Sequence, residues 1–110
     1  PNLPWLKANP RFLSPNLEFN IDAVDPLREY AKSLGKTTAQ LAVSWVLAKS
    51  QNIITIPGTR SVEHLDAHIG AANEPLTEQQ IQRCEEILEV GWCHGDRYSD
   101  ANWLGPEKYC

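Results

Sequence analysis

One short apolar run constrains the fold of this chain more than any other feature. Ile53–Ile56 is β-branched throughout, and Pro57 and Gly58 end it. The run is too short for a helix and apolar on both faces, which predicts a parallel strand buried on both sides. A single strand has unpaired backbone groups along both edges, so it needs partner strands. We therefore expect α/β architecture whose other strands lie outside this sequence.

Two helices are predicted before the strand. Asp25 can cap the first, with Pro26 at its first helical position, and Gly35 ends it. Thr37 and Gln40 are three residues apart, the spacing at which a hydroxyl and an amide cap each other's backbone donors at a helix start. The second helix has few polar positions, so we expect neighbours to cover most of its sides.

Two further helices are predicted after the strand. Ser61 can cap the first, and Gly70 ends it. Thr77 and Gln80 form a capping pair for the second, and Leu76 precedes them as a hydrophobic staple. The residues expected to face inward are Val62, Leu65 and Ile69 in the first of these helices and Ile81, Cys84 and Leu88 in the second.

Both ends of the chain are predicted to be irregular. Residues 1–20 contain four prolines among large apolar side chains, which predicts a loop segment pinned by those side chains. Residues 91–110 are predicted to form a tail that lies across the rest of the fold. The expected organisation is one domain with a loop segment at 1–20, helix–strand–helix units at 21–90 and the tail at 91–110.

The composition excludes several classes of function. The 110 residues contain ten Lys and Arg against 14 Asp and Glu, a net charge of -4 without a basic run, so nucleic acid is not an expected partner. No apolar run approaches the roughly 20 residues that cross a bilayer, so no membrane association is expected. Cys84, Cys93 and Cys110 provide neither a disulfide framework nor a zinc site, which favours a reducing cytoplasm. The chain begins with Pro1 and lacks a signal-peptide pattern, so we expect a piece of a larger protein.

The segment that joins the predicted strand to the next helix is the best candidate for chemistry. In α/β sheets and barrels, ligands bind where strands end and helices begin. Gly58 lets a ligand approach the backbone, and Thr59 and Ser61 bring hydroxyl donors. Arg60 has a planar fork suited to phosphate, and the helix N-terminus adds amides and a positive dipole end. The segment therefore predicts a phosphate site, or else a simple Pro-Gly turn with a solvated Arg60.

Four stretches, in order along the chain, resemble the C-terminal part of aldo-keto reductases. The last strand and helix of that family are similar to Ile53–Ala71, which contains Ile-Pro-Gly-Thr-Arg. The family's penultimate barrel helix is similar to Thr38–Ala48. The segment before it resembles Pro10-Arg11-Phe12 with Asn16 and Asn20, and the start of the family's tail resembles Gly95-Asp96-Arg97-Tyr98.

This resemblance implies the C-terminal part of an eight-stranded (β/α)8 TIM barrel, incomplete in this sequence. It also implies NADP as the cofactor of an oxidoreductase that reduces aldehyde or ketone carbonyls, or oxidises the corresponding alcohols. Gly58, Thr59 and Arg60 match the loop that holds the adenosine 2′-phosphate. His64 matches a polar contact position one turn into the helix, and His68 is a candidate contact of the adenine.

The sequence departs from the family pattern at two places. Ala67 and His68 stand where many members have Glu-Asn, and Pro26 falls where members often continue a helix. The Asp, Tyr, Lys and His that act on the carbonyl lie in the N-terminal part of the family's barrel, and no segment here matches their motifs. No catalytic residue is therefore assigned, and the isolated segment is not expected to catalyse.

Other chemistry-bearing residues have competing interpretations. His64 and His68 are four residues apart, a spacing that can hold a metal, but no third ligand is evident and no metal is expected. Cys93 and His94 are neighbours only in sequence, which is weak support for a nucleophile. The tail aromatics either line a substrate site or anchor the tail by packing, and they are Trp92, Tyr98 and Trp103.

Three hypotheses of function follow. The first is a segment of an NADP-dependent aldo-keto reductase, with a small carbonyl substrate and the remainder of the barrel as its partners. The second is a cofactor-binding sensor or regulatory subunit of the same fold without significant catalysis. The third is an independent helical interaction module, which the single buried strand disfavours. The oligomeric state does not follow from the sequence.

Overall fold

The computed structural model describes residues 8–102, with Asn102 described through its backbone alone. These residues form four α-helices and two short 3-10 turns. The helices are α1 (Asn16–Ser33), α2 (Thr38–Ala48), α3 (Val62–Asn73) and α4 (Glu78–Ile87), and the turns are Pro10–Phe12 and Asp100–Asn102. Two compact units are distinguished: a central unit of residues 25–90 and a terminal unit that joins 8–24 to 91–102. None of the described helices is both long enough and apolar enough to cross a membrane.

A small apolar core holds the central unit together. Its most buried members are Leu27 and Ala31 on α1, Leu41 on α2, and Leu76 and Cys84 at α4. The half-buried side chains packed around them are Tyr30, Leu34, Trp45, Ile81, Ile87 and Leu88. The inward face predicted for α4 is therefore confirmed, because Ile81, Cys84 and Leu88 all belong to this cluster.

Three predicted helix starts are confirmed by their capping hydrogen bonds. The hydroxyl of Thr37 accepts from the Gln40 amide at 3.1 Å, and that of Ser61 accepts from the His64 amide at 3.4 Å. Thr77 and Gln80 form a reciprocal capping box with bonds of 2.9 and 3.3 Å. Capping depends on residues only three apart, which is why the sequence predicts these starts well.

The first helix begins earlier than the sequence predicts. Asp25 was expected as its cap, but α1 starts at Asn16 and continues through Pro26. An internal proline removes one backbone hydrogen bond, and burial of Leu27 and Ala31 on the following turn offsets that loss. The predicted end at Gly35 is confirmed: Gly35 has φ +68, and the Lys36 amide donates to Ala31 O at 2.9 Å in a Schellman arrangement.

The predicted strand is absent from the described residues. Ile53–Ile56 lies outside any helix or strand, and Ile54 and Ile56 are 88% and 92% exposed. A strand is defined by hydrogen bonds to a neighbour, and residues 8–102 contain no second strand that could provide them. The structure is therefore consistent with a barrel segment without establishing the barrel.

The orientation predicted for α3 is wrong. Its expected inward residues are all exposed, namely Val62 at 76%, Leu65 at 48% and Ile69 at 50%. The helix instead turns a face of small residues toward α2, passes through Gly70, and ends at Asn73. Ala71 is buried there, because a residue without a bulky side chain lets two helices approach closely.

The second helix is also less covered than predicted. Leu41 and Ser44 are each 1% exposed and face the core, whereas Val46 is 37% exposed. Within the described residues, α2 packs against α3 and α4. An apolar composition therefore predicts burial only where the neighbours are present.

The terminal unit is organised by polar contacts to the backbone of the tail. Arg11 Nε donates to Gly95 O at 3.0 Å, and Asn20 bonds both backbone groups of His94. The rings of Phe19 and His94 stack with centroids 5.1 Å apart. The predicted tail is irregular in the described residues except for the turn at Asp100–Asn102. Trp103, Tyr109 and Cys110 lie outside the described residues.

Candidate cofactor-phosphate site

The segment predicted to bind phosphate forms a tight turn that leads into α3. The Thr59 hydroxyl accepts from the Ser61 amide at 3.1 Å and donates to Ser61 O at 3.3 Å. The Ser61 hydroxyl accepts from the His64 amide, so both side chains shape the entry to the helix. The proton of the Thr59 hydroxyl is therefore used within the turn. The Ser61 hydroxyl uses its oxygen, which accepts the hydrogen bond from the His64 amide.

Gly58 and Arg60 leave this turn open on its outer side. A Cβ built on Gly58 would meet no atom within 4 Å, so a ligand has room to approach the backbone there. Arg60 is exposed and makes no hydrogen bond or ion pair with any residue from 8 to 102. The first amides of a helix have no intrahelical partner, and they point out of the same end of α3. A mobile cation, open backbone and helix amides together can bind an anion.

The two histidines of α3 differ in their surroundings. His64 is exposed in the first turn, whereas His68 is half-buried one turn later. His68 Nδ1 is buried and has no hydrogen-bond partner among the described residues. A buried polar atom without a partner is costly. Because solvent does not reach this nitrogen, a ligand at His68 would meet the ring through its other atoms.

Acidic side chains lie on the same helix. Glu63 and Asp66 are both exposed on α3, and Glu63 is in the first turn. Arg60 is the cation of the turn, and it is as exposed to solvent as these two carboxylates. The described residues contain no group of three His, Cys, Asp or Glu side chains that could hold a metal ion.

The cysteines do not form a nucleophilic site in the described residues. Cys93 Sγ lies 4.0 Å from the backbone oxygen of His94, so the thiol contacts the main chain of its neighbour and not the imidazole. Cys84 is buried, and burial is the main cause that raises the pKa of its thiol, followed by the charge of Glu85. A buried thiol with a raised pKa is a core residue rather than a nucleophile. Both cysteines are free.

Sequence reasoning missed the polar cluster of the terminal unit. Arg11, Asn16 and Asn20 were noted only as part of the family resemblance, and the structure brings them to the His94–Gly95 turn. Asn20 is 9% exposed although asparagine is usually found at the surface. The sequence offers only weak signs of this contact. They are an asparagine in a helical segment and, far along the chain, a glycine in an irregular stretch.

Comparison with known proteins identifies the family. The profile of the Aldo/keto reductase family matches residues 4–89. The probable aldo-keto reductase 1 of Glycine max is 38% identical over 93 residues, which are 84% of this chain and 27% of that protein. Aldo-keto reductase str7 of Strobilurus tenacellus is 31% identical over 88 residues, 80% of this chain and 26% of that protein. No solved structure matches at the same level of significance.

The chain therefore belongs to the aldo/keto reductase family, as the sequence resemblance predicted. It spans about a quarter of the length of these two curated relatives. The family match includes the whole turn from Gly58 to Ser61 and all of α3. The roles of individual residues in that turn stay predictions.

Proposed function

We propose that this chain provides the adenosine 2′-phosphate site of an NADP-dependent aldo-keto reductase that acts on aldehyde or ketone carbonyls, or on the corresponding alcohols. The observation that carries the proposal is the pairing of an exposed Arg60 with an open Gly58 at the start of α3. Three features together suit phosphate: the cation, the unobstructed backbone, and the amides of Val62 and Glu63, which the hydroxyls of the turn do not bond.

The residues present fit this cofactor. Arg60 would hold the 2′-phosphate with its guanidinium, and the turn of Gly58 and Thr59 would lie against the phosphate from the backbone side. His64 and His68 are the proposed contacts for the adenosine, with His68 using the part of its ring that is not buried. When bound, NADPH supplies the hydride that reduces a carbonyl. The chain's own residues bind and orient the cofactor and take no part in the proton transfer.

We further propose that the chain is the C-terminal part of a (β/α)8 barrel. The exposed Ile54 and Ile56 support this, because the remaining strands of a barrel would pair with their segment and cover them. The catalytic Asp, Tyr, Lys and His would come from those other parts of the protein. The tail, with the half-buried Trp92 and Tyr98, would form part of the substrate lid. Two free cysteines are compatible with a reducing cytoplasm.

The decisive experiment is Arg60→Ala in the complete protein, with cofactor affinity measured by fluorescence titration. NADPH binding should weaken about 10- to 100-fold, because a charge-assisted hydrogen bond contributes about 1.5–3 kcal/mol and each 1.4 kcal/mol is tenfold in affinity. NADH binding should change less than about twofold, since NADH lacks the phosphate that Arg60 contacts.

The matched control is Arg83→Ala, because Arg83 is also exposed and, among residues 8–102, forms its ion pair only with Glu86 on α4, at 3.0 Å. It should leave the affinity for both cofactors unchanged. Equal weakening of NADPH and NADH by Arg60→Ala would contradict the assignment of Arg60 to the 2′-phosphate. NADPH binding by the complete protein without turnover of any carbonyl would favour the sensor hypothesis over the reductase.

A further inference from the structure

Three backbone groups of His94 and Gly95 in the tail are bonded by side chains of the segment 11–20. Asn20 uses all of its amide groups: Oδ1 accepts from the His94 amide at 2.7 Å, while Nδ2 donates to His94 O at 2.9 Å and to Arg11 O at 3.1 Å. Arg11 Nε donates to the next carbonyl, that of Gly95, at 3.0 Å. The tail is therefore held through its main chain.

Gly95 allows this close approach. Its φ is +84, and a Cβ built there would lie 2.7 Å from Asn16 Nδ2 and 2.9 Å from the backbone carbon of Pro10. Asn16 cannot easily move aside, because its Nδ2 donates to Pro10 O at 3.1 Å. Any side chain at position 95 would therefore push the turn away from Arg11 and Asn20.

The apolar part of the contact is small by comparison. The ring of His94 stacks on Phe19, but His94 is exposed and Phe19 is 53% exposed. Segments that are held by a few hydrogen bonds and little buried apolar surface open at lower free energy than the cores of domains. The attachment of the tail at His94 and Gly95 thus depends on polar groups, with Asn20 at their centre.

We propose that Arg11, Asn16 and Asn20 form a latch that positions residues 93–98, and that this segment opens as a unit while α2 and α4 stay folded. Asn20 is the positioning residue, because it joins His94 to the backbone of Arg11. The latch itself does not depend on the proposed reductase activity. Its kinetic consequence rests on the proposed function, in which the tail forms part of the substrate lid.

The test is Asn20→Ala in the complete protein, followed by amide hydrogen exchange. Alanine is the better helix former, so a loss of protection cannot arise from a weaker α1. Exchange of the His94 amide should accelerate by about tenfold or more, since its acceptor is removed. Amides of α2, such as those of Ser44 and Trp45, should change by less than about twofold.

Asn73→Ala is the matched control, because Asn73 is an exposed asparagine at the end of α3. It should leave the exchange of His94 unchanged. An unchanged His94 amide in Asn20→Ala would overturn the latch, and so would equal acceleration in α2, which would mean that the tail opens only with global unfolding. If Asn20→Ala does not fold, Asn20→Asp tests the latch through its donors: it keeps the acceptor of the His94 amide but sets a carboxylate oxygen against the carbonyls of His94 and Arg11, so exchange in the tail should still accelerate and unchanged exchange would overturn the latch.

Two further variants separate main-chain from side-chain recognition. His94→Ala should accelerate exchange in the tail by less than about threefold, because it removes the stacking on Phe19 and leaves the hydrogen bonds of Asn20 in place. Gly95→Ala should match or exceed the effect of Asn20→Ala. A larger acceleration of exchange by His94→Ala than by Gly95→Ala would overturn the proposal that the latch recognises the main chain.

The kinetic consequence is measured in the same Asn20→Ala protein. A misplaced lid should raise KM for a carbonyl substrate several-fold, while the Kd for NADPH changes by less than about twofold, because Arg60 and its turn belong to the other unit. Accelerated exchange with an unchanged KM would support the latch and contradict the lid role in the proposed function. The two failures are therefore distinguishable.

Discussion

At the scale of single residues, the contact between α2 and α3 depends on one buried hydroxyl. Ser44 is 1% exposed, and its Oγ donates to the carbonyl of Ala71 at 3.3 Å. Ala71 lies in the last turn of α3, where carbonyls have no partner within the helix. Ser44 therefore provides the partner of a helix-end carbonyl that water does not reach.

Replacement of Ser44 by alanine tests this role. The variant should lower the free energy of unfolding by about 1–2 kcal/mol, because the buried carbonyl of Ala71 loses its partner. Ser33→Ala is the control, since the Ser33 hydroxyl makes the same kind of bond, to Tyr30 O at 2.7 Å, on an exposed surface. It should change stability by less than about 0.5 kcal/mol. Urea denaturation of the complete protein measures both, and equal effects would contradict a special role of Ser44.

Residues that act on their near neighbours are the ones that the sequence predicts. The hydroxyls of Thr37, Ser61 and Thr77 cap their helices as expected, because each partner is three residues away. The role of Asn20 was not predicted, because its partner His94 is 74 residues away. No local spacing encodes such a contact. The residue roles at Gly58–Arg60 rest on the family resemblance and on the open geometry of the turn.

At the scale of elements, α2 and α4 are joined by a cluster of charges. Lys49, just after α2, forms an ion pair with Glu85 of α4, and Trp45 Nε1 donates to the same carboxylate at 3.3 Å. The Lys49 ammonium also lies 4.3 Å from the centre of the Trp45 ring. The hydrogen bond from Lys49 is the main cause that lowers the pKa of Glu85 below its ordinary value of 4.5.

This lowered pKa predicts the direction of a pH dependence. A carboxyl whose pKa is lower in the folded state stabilises the fold above its unfolded pKa, near 4.5, and loses this contribution as pH falls through the folded pKa. The melting temperature of the wild type should therefore exceed that of Glu85→Gln at pH 7, and the difference should shrink below about pH 4.5. Salt at about 1 M should reduce the difference, because Glu85 is exposed to solvent.

Glu86→Gln provides the control for this measurement. Within the described part of the chain, Glu86 bonds only Arg83 and Gln82, both on α4, so it does not join α4 to α2. From pH 7 to acid conditions, the melting temperature of Glu86→Gln should stay closer to that of the wild type than the melting temperature of Glu85→Gln does. If the melting temperatures of wild type and Glu85→Gln differ by the same amount at every pH, the charge of the Glu85 carboxylate is not the cause of the difference in stability.

The positions of the helices were predicted better than the faces that they bury. All four occur near the predicted positions, because capping and turn residues define their limits locally. The start of α1 was wrong because Pro26 is tolerated inside a helix that packs through Leu27 and Ala31. The prediction of the buried face of α3 was wrong because the small residues Gly70 and Ala71, rather than the larger apolar residues, contact α2. Which face is buried depends on the shape of the neighbour, and periodicity does not contain that information.

At the scale of the whole molecule, the surface carries large apolar residues in one stretch of sequence. In residues 54–69 the most exposed are Ile54 and Ile56, and Val62, Leu65 and Ile69 follow on α3. Exposed apolar residues that recur within so short a stretch mark surfaces that other parts of a protein cover. The family membership offers the explanation, since this chain spans only about a quarter of the relatives' length. The proposed barrel would cover the segment around Ile54 and Ile56 with its other strands.

Ile56→Ala in the complete protein distinguishes a barrel strand from a surface loop. If other strands cover Ile56, the substitution leaves a cavity and should lower the free energy of unfolding by about 2–5 kcal/mol. Val90→Ala is the control, because Val90 is fully exposed and lies outside the proposed barrel strand, so its truncation should cost less than about 0.5 kcal/mol. Denaturant titration of both variants gives the comparison. A cost for Ile56→Ala as small as that for Val90→Ala would contradict the barrel strand, because a truncated side chain that stays in water leaves no cavity behind.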